Sequence, residues 1–139
     1  PENVYILATM NDIDRSVESM DFAMRRRFTW KEVTPDETES MLDALSCAAE
    51  ANATMKRLNK AITETDGLGA AFSTGPSYFL KLEKNGGDFN KLWTMNIEPL
   101  LKEYLRGMRK SSDILEKYQK AFFNTKEEST ENPELLNED

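Results

Sequence analysis

Asn11 stands directly after the apolar run VYILATM at residues 4–10. A carboxamide in that place can donate to a phosphate oxygen and accept from a water at the same time. Those contacts hold a nucleophilic water in line with a γ-phosphate, in a reaction where protein contributes mostly positioning and electrostatics. Asn11 reads equally as a turn residue that ends a strand. Asp14 and Arg15 follow it, with a plainer reading as an acid at a helix start beside a solvated base. About ten residues on comes the run Arg25, Arg26 and Arg27. An arginine offered to a neighbour's γ-phosphate stabilises transition-state charge and is worth several orders of magnitude in rate. The alternative is a solvated basic patch. Gly75, Ser77 and Tyr78 surround Pro76 at a helix start, where free backbone donors could face a phosphate or a base. Their alternative is a structural cap.

These residues need elements to position them. The unbroken apolar run at 4–10 predicts a strand buried on both faces, as in a parallel sheet covered by helices. Ligands of open α/β sheets sit at the carboxyl ends of such strands, where Asn11, Asp14 and Arg15 lie. A short helix over 16–24 carries Val17, Met20 and Met24 on one stripe, and residues 28–33 alternate as a second strand. Thr34, Pro35 and Glu37 then form a capping-box helix start. Met41, Leu42, Leu45, Ala48 and Ala49 make one stripe, and Met55, Leu58 and Ile62 another. Asn52 leaves open whether this is one helix or two. Gly67 and Gly69 mark a loop, and Pro76 opens a helix with Tyr78, Phe79 and Leu82. Asn85-Gly86-Gly87 ends that helix and Asp88 caps the next, which Pro99 should kink or restart and Gly107 should stop. A last helix over 112–123 shows Ile114, Leu115, Tyr118 and Phe122 on one face.

Composition sets bounds. A length of 139 residues suits one modest domain or a piece of a larger protein. A start at Pro1, on the threshold of a buried strand, leads us to expect an excised C-terminal piece. A net charge of −7 argues against a broad nucleic-acid footprint. With no histidine and one cysteine, Cys47, a zinc site and an internal disulfide are both disfavoured, and a reducing cytoplasm fits. No metal ligands are expected, and no run is long enough to span a membrane. Residues 126–139, with six acids and one base, read as an acidic disordered tail.

The stretches PENVYILATMNDIDRS, MDFAMRRRF, STGPSYFLKL and NIEPLLKEYLRG, in this order over residues 1–107, resemble the McrB branch of the AAA+ nucleoside triphosphatases. The resemblance implies a mainly α chain. Residues 1–33 would be the last one or two strands of an α/β core, 34–124 a helical lid bundle and 125–139 the tail. It implies a sensor-1 role for Asn11 and arginine fingers at Arg26 or Arg27. Asp14, Arg15, Asp21 and Arg25 would line the nucleotide or the subunit interface, and Gly75, Ser77 and Tyr78 would form the lid motif. Pro76 stands where the family commonly has a histidine or similar residue, which removes one possible nucleotide contact.

The implied parent is a cytoplasmic, ring-forming, hexameric hydrolase of GTP or ATP with Mg2+. It would drive an McrC-like nuclease and reach DNA through regions outside this chain. This sequence has no G-x-x-x-x-G-K-[ST] loop and no strand ending in paired acids, so the chain alone is expected to hold no nucleotide and to be inactive. Two rivals remain at this stage. One is an AAA+ remodelling ATPase unrelated to restriction. The other is a non-enzymatic helical interaction module using exposed Trp93, Phe122 and Phe123. Residues 4–9 would also lack sheet neighbours, so the segment should pair with a second copy or lie rearranged, leaving the lid as the stable body.

Overall fold

Ala51, Met55, Leu58 and Ile62 recur at the four-three-four spacing of one helical face. Helix α2 (Ala48–Thr63) forms around them, and all four side chains are sealed from solvent. Asn52 does not break it. The structure is a computed structural model that describes residues 2–11, 13 and 22–125, and every regular element among them is helical. A short α1 (Phe22–Arg25) is followed by a 3₁₀ segment (Asp36–Leu42), α2, and a 3₁₀ turn (Ala70–Phe72). Then come α3 (Pro76–Phe79), α4 (Lys81–Lys84), α5 (Phe89–Leu92), a π turn (Trp93–Ile97), α6 (Glu98–Tyr104) and α7 (Ser111–Phe123). No described helix is long and apolar enough to cross a membrane.

The starts and stops follow local chemistry. Thr34 and Glu37 form the expected reciprocal box: the Glu37 N–H donates to Thr34 Oγ1 at 3.3 Å, and the Thr34 N–H donates to Glu37 Oε2 at 3.2 Å. The Asp88 carboxylate accepts from the Lys91 N–H at 3.0 Å at the start of α5. Gly86, Gly87 and Gly107 take positive φ just past the ends of α4 and α6. Pro99 restarts the helix as expected, and the π turn shows how. Proline cannot bond back to Met95, so the chain widens ahead of it, and the Glu98 N–H reaches Trp93 O instead. Trp93, Ile97, Leu101 and Leu105 then stay buried although they are spaced by four, which drifts about 40° per step on a regular α-helix.

The core lies between α2 and α7. They run antiparallel: Arg57 meets Ala121 and Phe122, while Thr65, just past the end of α2, takes the Tyr118 hydroxyl at 2.9 Å. Phe122 sits in an aromatic cluster with Phe79 at 6.2 Å, Phe89 at 6.2 Å, Trp93 at 5.1 Å and Phe123 at 4.9 Å between ring centroids. This corrects one expectation. Trp93 and Phe122 are 3% and 1% exposed and Phe123 packs against the core, so these aromatics offer no docking face to a partner helix.

The mainly helical fold stands; the two strands do not form. Residues 4–10 and 28–33 have no ladder partner among the described residues. Val4 is 62% exposed, Tyr5 93% and Leu7 97%, so the expected burial on both faces is absent. The physical reason is simple: a strand is completed by its neighbours, and the described residues supply none. Most of the expected 16–24 helix and residues 126–139 of the acidic tail lie outside the described residues.

Candidate functional site

The candidate residues fall into two groups. In the N-terminal group, Asn11 is exposed and its Oδ1 accepts from the Ile13 N–H at 3.4 Å, the geometry of a side chain closing its own turn. Arg25 is exposed and its guanidinium lies over the Trp30 ring at 5.8 Å, while Trp30 Nε1 donates to the Arg25 carbonyl at 2.9 Å. Residues 28–33 are thereby folded back at one point onto the end of α1. Arg26 and Arg27 are exposed and make no ion pair among the described residues. Asp14, Arg15 and Asp21 lie outside the described residues. No extensive packing joins α1 to any other helix among the described residues.

The second group is built into the bundle. Gly75 is extended (φ −84°, ψ 163°), as the residue before a proline must be, and Pro76 occupies the first turn of α3. Ser77 is exposed and Tyr78 half-buried, with the Lys81 ammonium 5.4 Å over its ring. Neither backbone strain nor internal crowding calls for glycine at 75. A Cβ there would meet only Ser77 Oγ, at 3.8 Å.

What fixes this loop is a residue the sequence did not single out. Asn59, on α2, binds Thr74 three times: Nδ2 donates to Thr74 O at 2.9 Å, and Oδ1 accepts from the Thr74 N–H at 2.7 Å and from its hydroxyl at 2.8 Å. Thr74 is 1% exposed. The available signal was an asparagine beside the apolar stripe in a helix interior, where that residue is unfavourable without a partner.

Beside the loop lies a small aromatic group. Phe72 meets Tyr104 edge-on at 5.1 Å. The Tyr104 hydroxyl is pushed up to about 12, mainly by burial and then by the neighbouring Tyr78. At the other end of α2, Glu39 pairs with Lys56 at 2.6 Å and accepts from Asn52 Nδ2 at 3.2 Å, which holds its carboxyl below the usual range. Among the described residues no cluster of histidine, cysteine or acids could hold a metal ion.

Residues 50–113 match the family model described as McrB, alpha-helical lid domain. The chain is 36% identical over 118 positions to the Type IV methyl-directed restriction enzyme EcoKMcrB subunit of Escherichia coli (strain K12). That alignment covers 75% of this chain, more than the lid alone, and 26% of the relative, so the chain spans about a quarter of the length of the protein it matches. No solved structure matches it.

Proposed function

Through its helical lid, residues 50–113, the chain belongs to the McrB family, and on that premise we propose that it is the lid and adjoining catalytic segment of a nucleotide-hydrolysing restriction subunit. In this reading GTP or ATP hydrolysis, with Mg2+, in a ring of such subunits powers DNA cleavage by a partner nuclease. The phosphates and the metal are gripped by residues outside this chain, which carries no phosphate loop. Asn11 orients the attacking water in its own subunit. Arg26 or Arg27 reaches the neighbour's γ-phosphate, and Asp14, Arg15, Asp21 and Arg25 shape that interface. Gly75, Ser77 and Tyr78 face the nucleotide from the lid.

One observation carries the reading: an McrB-type lid is joined in one chain to an Asn-bearing segment and an arginine run, and the similarity to the relative reaches beyond the lid. The exposure of Arg26 and Arg27, with no ion pair among the described residues, supports a role toward something outside the chain. Such a role needs charges that the fold has not already neutralised.

The test is hydrolysis of GTP and of ATP by the full-length protein that carries this chain. Asn11→Ala should abolish turnover by two orders of magnitude or more while nucleotide binding survives. Equal turnover in the variant would remove Asn11 from the catalytic site.

A further inference from the structure

Arg57, Lys60, Lys117 and Lys120 line a groove of about 330 Å³ along the seam between α2 and α7, with Glu64 the one carboxylate in its lining. Ala61 on α2 and Ala121 on α7 line it too, and their small side chains leave the space open. Two of the four cations are matched: Lys60 faces Glu64 at 3.9 Å and Lys120 faces Glu116 at 3.0 Å. The other two are not. Arg57 directs its N–H groups to the uncharged oxygens of Thr54, Ala121 and Phe122. Lys117 is exposed and makes no ion pair among the described residues. Positive charge therefore gathers here in a chain whose net charge is −7.

The opposite charge begins at the rim of the same groove. Residues 126–139, which lie outside the described residues, hold six acids and one base and follow directly on Thr125, itself part of the lining. Asn124, at φ 55°, turns the chain out of α7, and the Thr125 N–H donates back to the Lys120 carbonyl at 3.0 Å. We propose that the groove between α2 and α7 is the docking site of this chain's own acidic segment, with Glu127, Glu128 and Glu131 brought to Arg57 and Lys117. The reach suffices. Lys117 lies ~10 Å back along α7 from Asn124 at the helical rise per residue. The extended step from Thr125 to Glu128 spans about the same. Tethering gives the segment a roughly millimolar effective concentration, so charge-assisted contacts too weak to hold a free peptide can hold this one. An outside polyanion would instead approach against the net negative charge of the chain.

The test is an amide NMR comparison on the whole isotope-labelled chain of 139 residues. Amides of residues 57–64 and 117–125 should move between low salt and about 1 M salt, where screening acts within ~3 Å. A variant with Glu127, Glu128 and Glu131 all changed to Gln should show at low salt the positions that wild type reaches only at high salt. Lys117→Gln should shift the groove amides part of the way. It should also drop the heteronuclear NOE of residues 127–131 to that of a free chain end. If Lys117→Gln disturbs the fold, the Gln-substituted segment, which alters none of the described residues, decides the matter. Groove amides that coincide in wild type and that variant at low salt overturn the proposal. Shifts that fade on dilution overturn it as well, because they place the segment on a second copy. So does a short single-stranded oligonucleotide that moves the groove amides equally in both proteins, since the groove would then stand open to an outside polyanion.

Discussion

Tyr104 closes α6 half-buried against Phe72 and close to Tyr78, and loss of solvent is the main reason its hydroxyl ionises only at about 12 instead of 10.0. The folded chain thus holds the phenol proton more tightly than the unfolded chain does. Any stability linked to it is complete below pH 10 and is lost as pH rises from 10 through 12. Burial also raises Tyr118, opposed by its hydrogen bond to Thr65. Phenolate absorbance should therefore show a late component extending toward pH 12, and Tyr104→Phe should diminish it. A wild-type titration complete by pH 11 would contradict the packing described around Tyr104. At this scale the sequence was readable where a residue acts on its own neighbourhood. Thr34 with Glu37 and Asp88 with Lys91 are caps between residues three apart, and both are formed. Asn59 with Thr74 was not readable, because the pair is fifteen residues apart and nothing local marks which carbonyl an asparagine will meet.

Gly86, Gly87 and Gly107 stand just past helix ends in left-handed conformation. Gly107 has φ +81° and no atom within 4 Å of where a Cβ would stand, so Gly107→Ala tests backbone strain free of any clash. The substitution should lower unfolding free energy by about 1–2 kcal/mol in a urea titration, the usual excess of a side chain held in left-handed conformation. An unchanged midpoint would mean that α6 can end without that turn. The elements themselves were legible to differing degrees. The stripe Met55, Leu58 and Ile62 announced α2, and Pro99 announced a restart, because periodicity and a missing donor are properties of the segment alone. The strands at 4–10 and 28–33 were read from an equally clear apolar pattern, yet they do not form in this chain. A strand's hydrogen bonds belong to its neighbours, and sequence pattern records the burial a segment is built for, not whether the partner is present. The aromatics Trp93 and Phe122 failed in the opposite direction. Their helical phase was plain, but only the packed bundle shows that Trp93 and Phe122 face each other and not a visitor.

At the scale of the molecule, similarity and structure draw different boundaries. The family match ends at residue 113, whereas the side chains that seal the bundle, Tyr118 and Phe122, come later on α7. The packed helical body that carries the matched residues therefore runs through α7, and the antiparallel seam between α2 and α7 brings its first long helix back beside its last. Arg57 sits under the end of α7, nine residues into α2 from its start, so along the helix axis the start of α2 and the end of α7 are offset by only ~14 Å at the helical rise per residue. Connectivity at that edge is then exchangeable. A circularly permuted lid, with residues 34 and 125 joined by a flexible linker of about six residues and new ends opened between Gly86 and Gly87, should keep its helical circular dichroism and melt within a few degrees of the original order. If the permuted chain is unfolded, chain order matters to this bundle beyond the contacts that hold it. If it folds, the lid can be carried on either end by whatever it is attached to, like a door that hangs from one jamb.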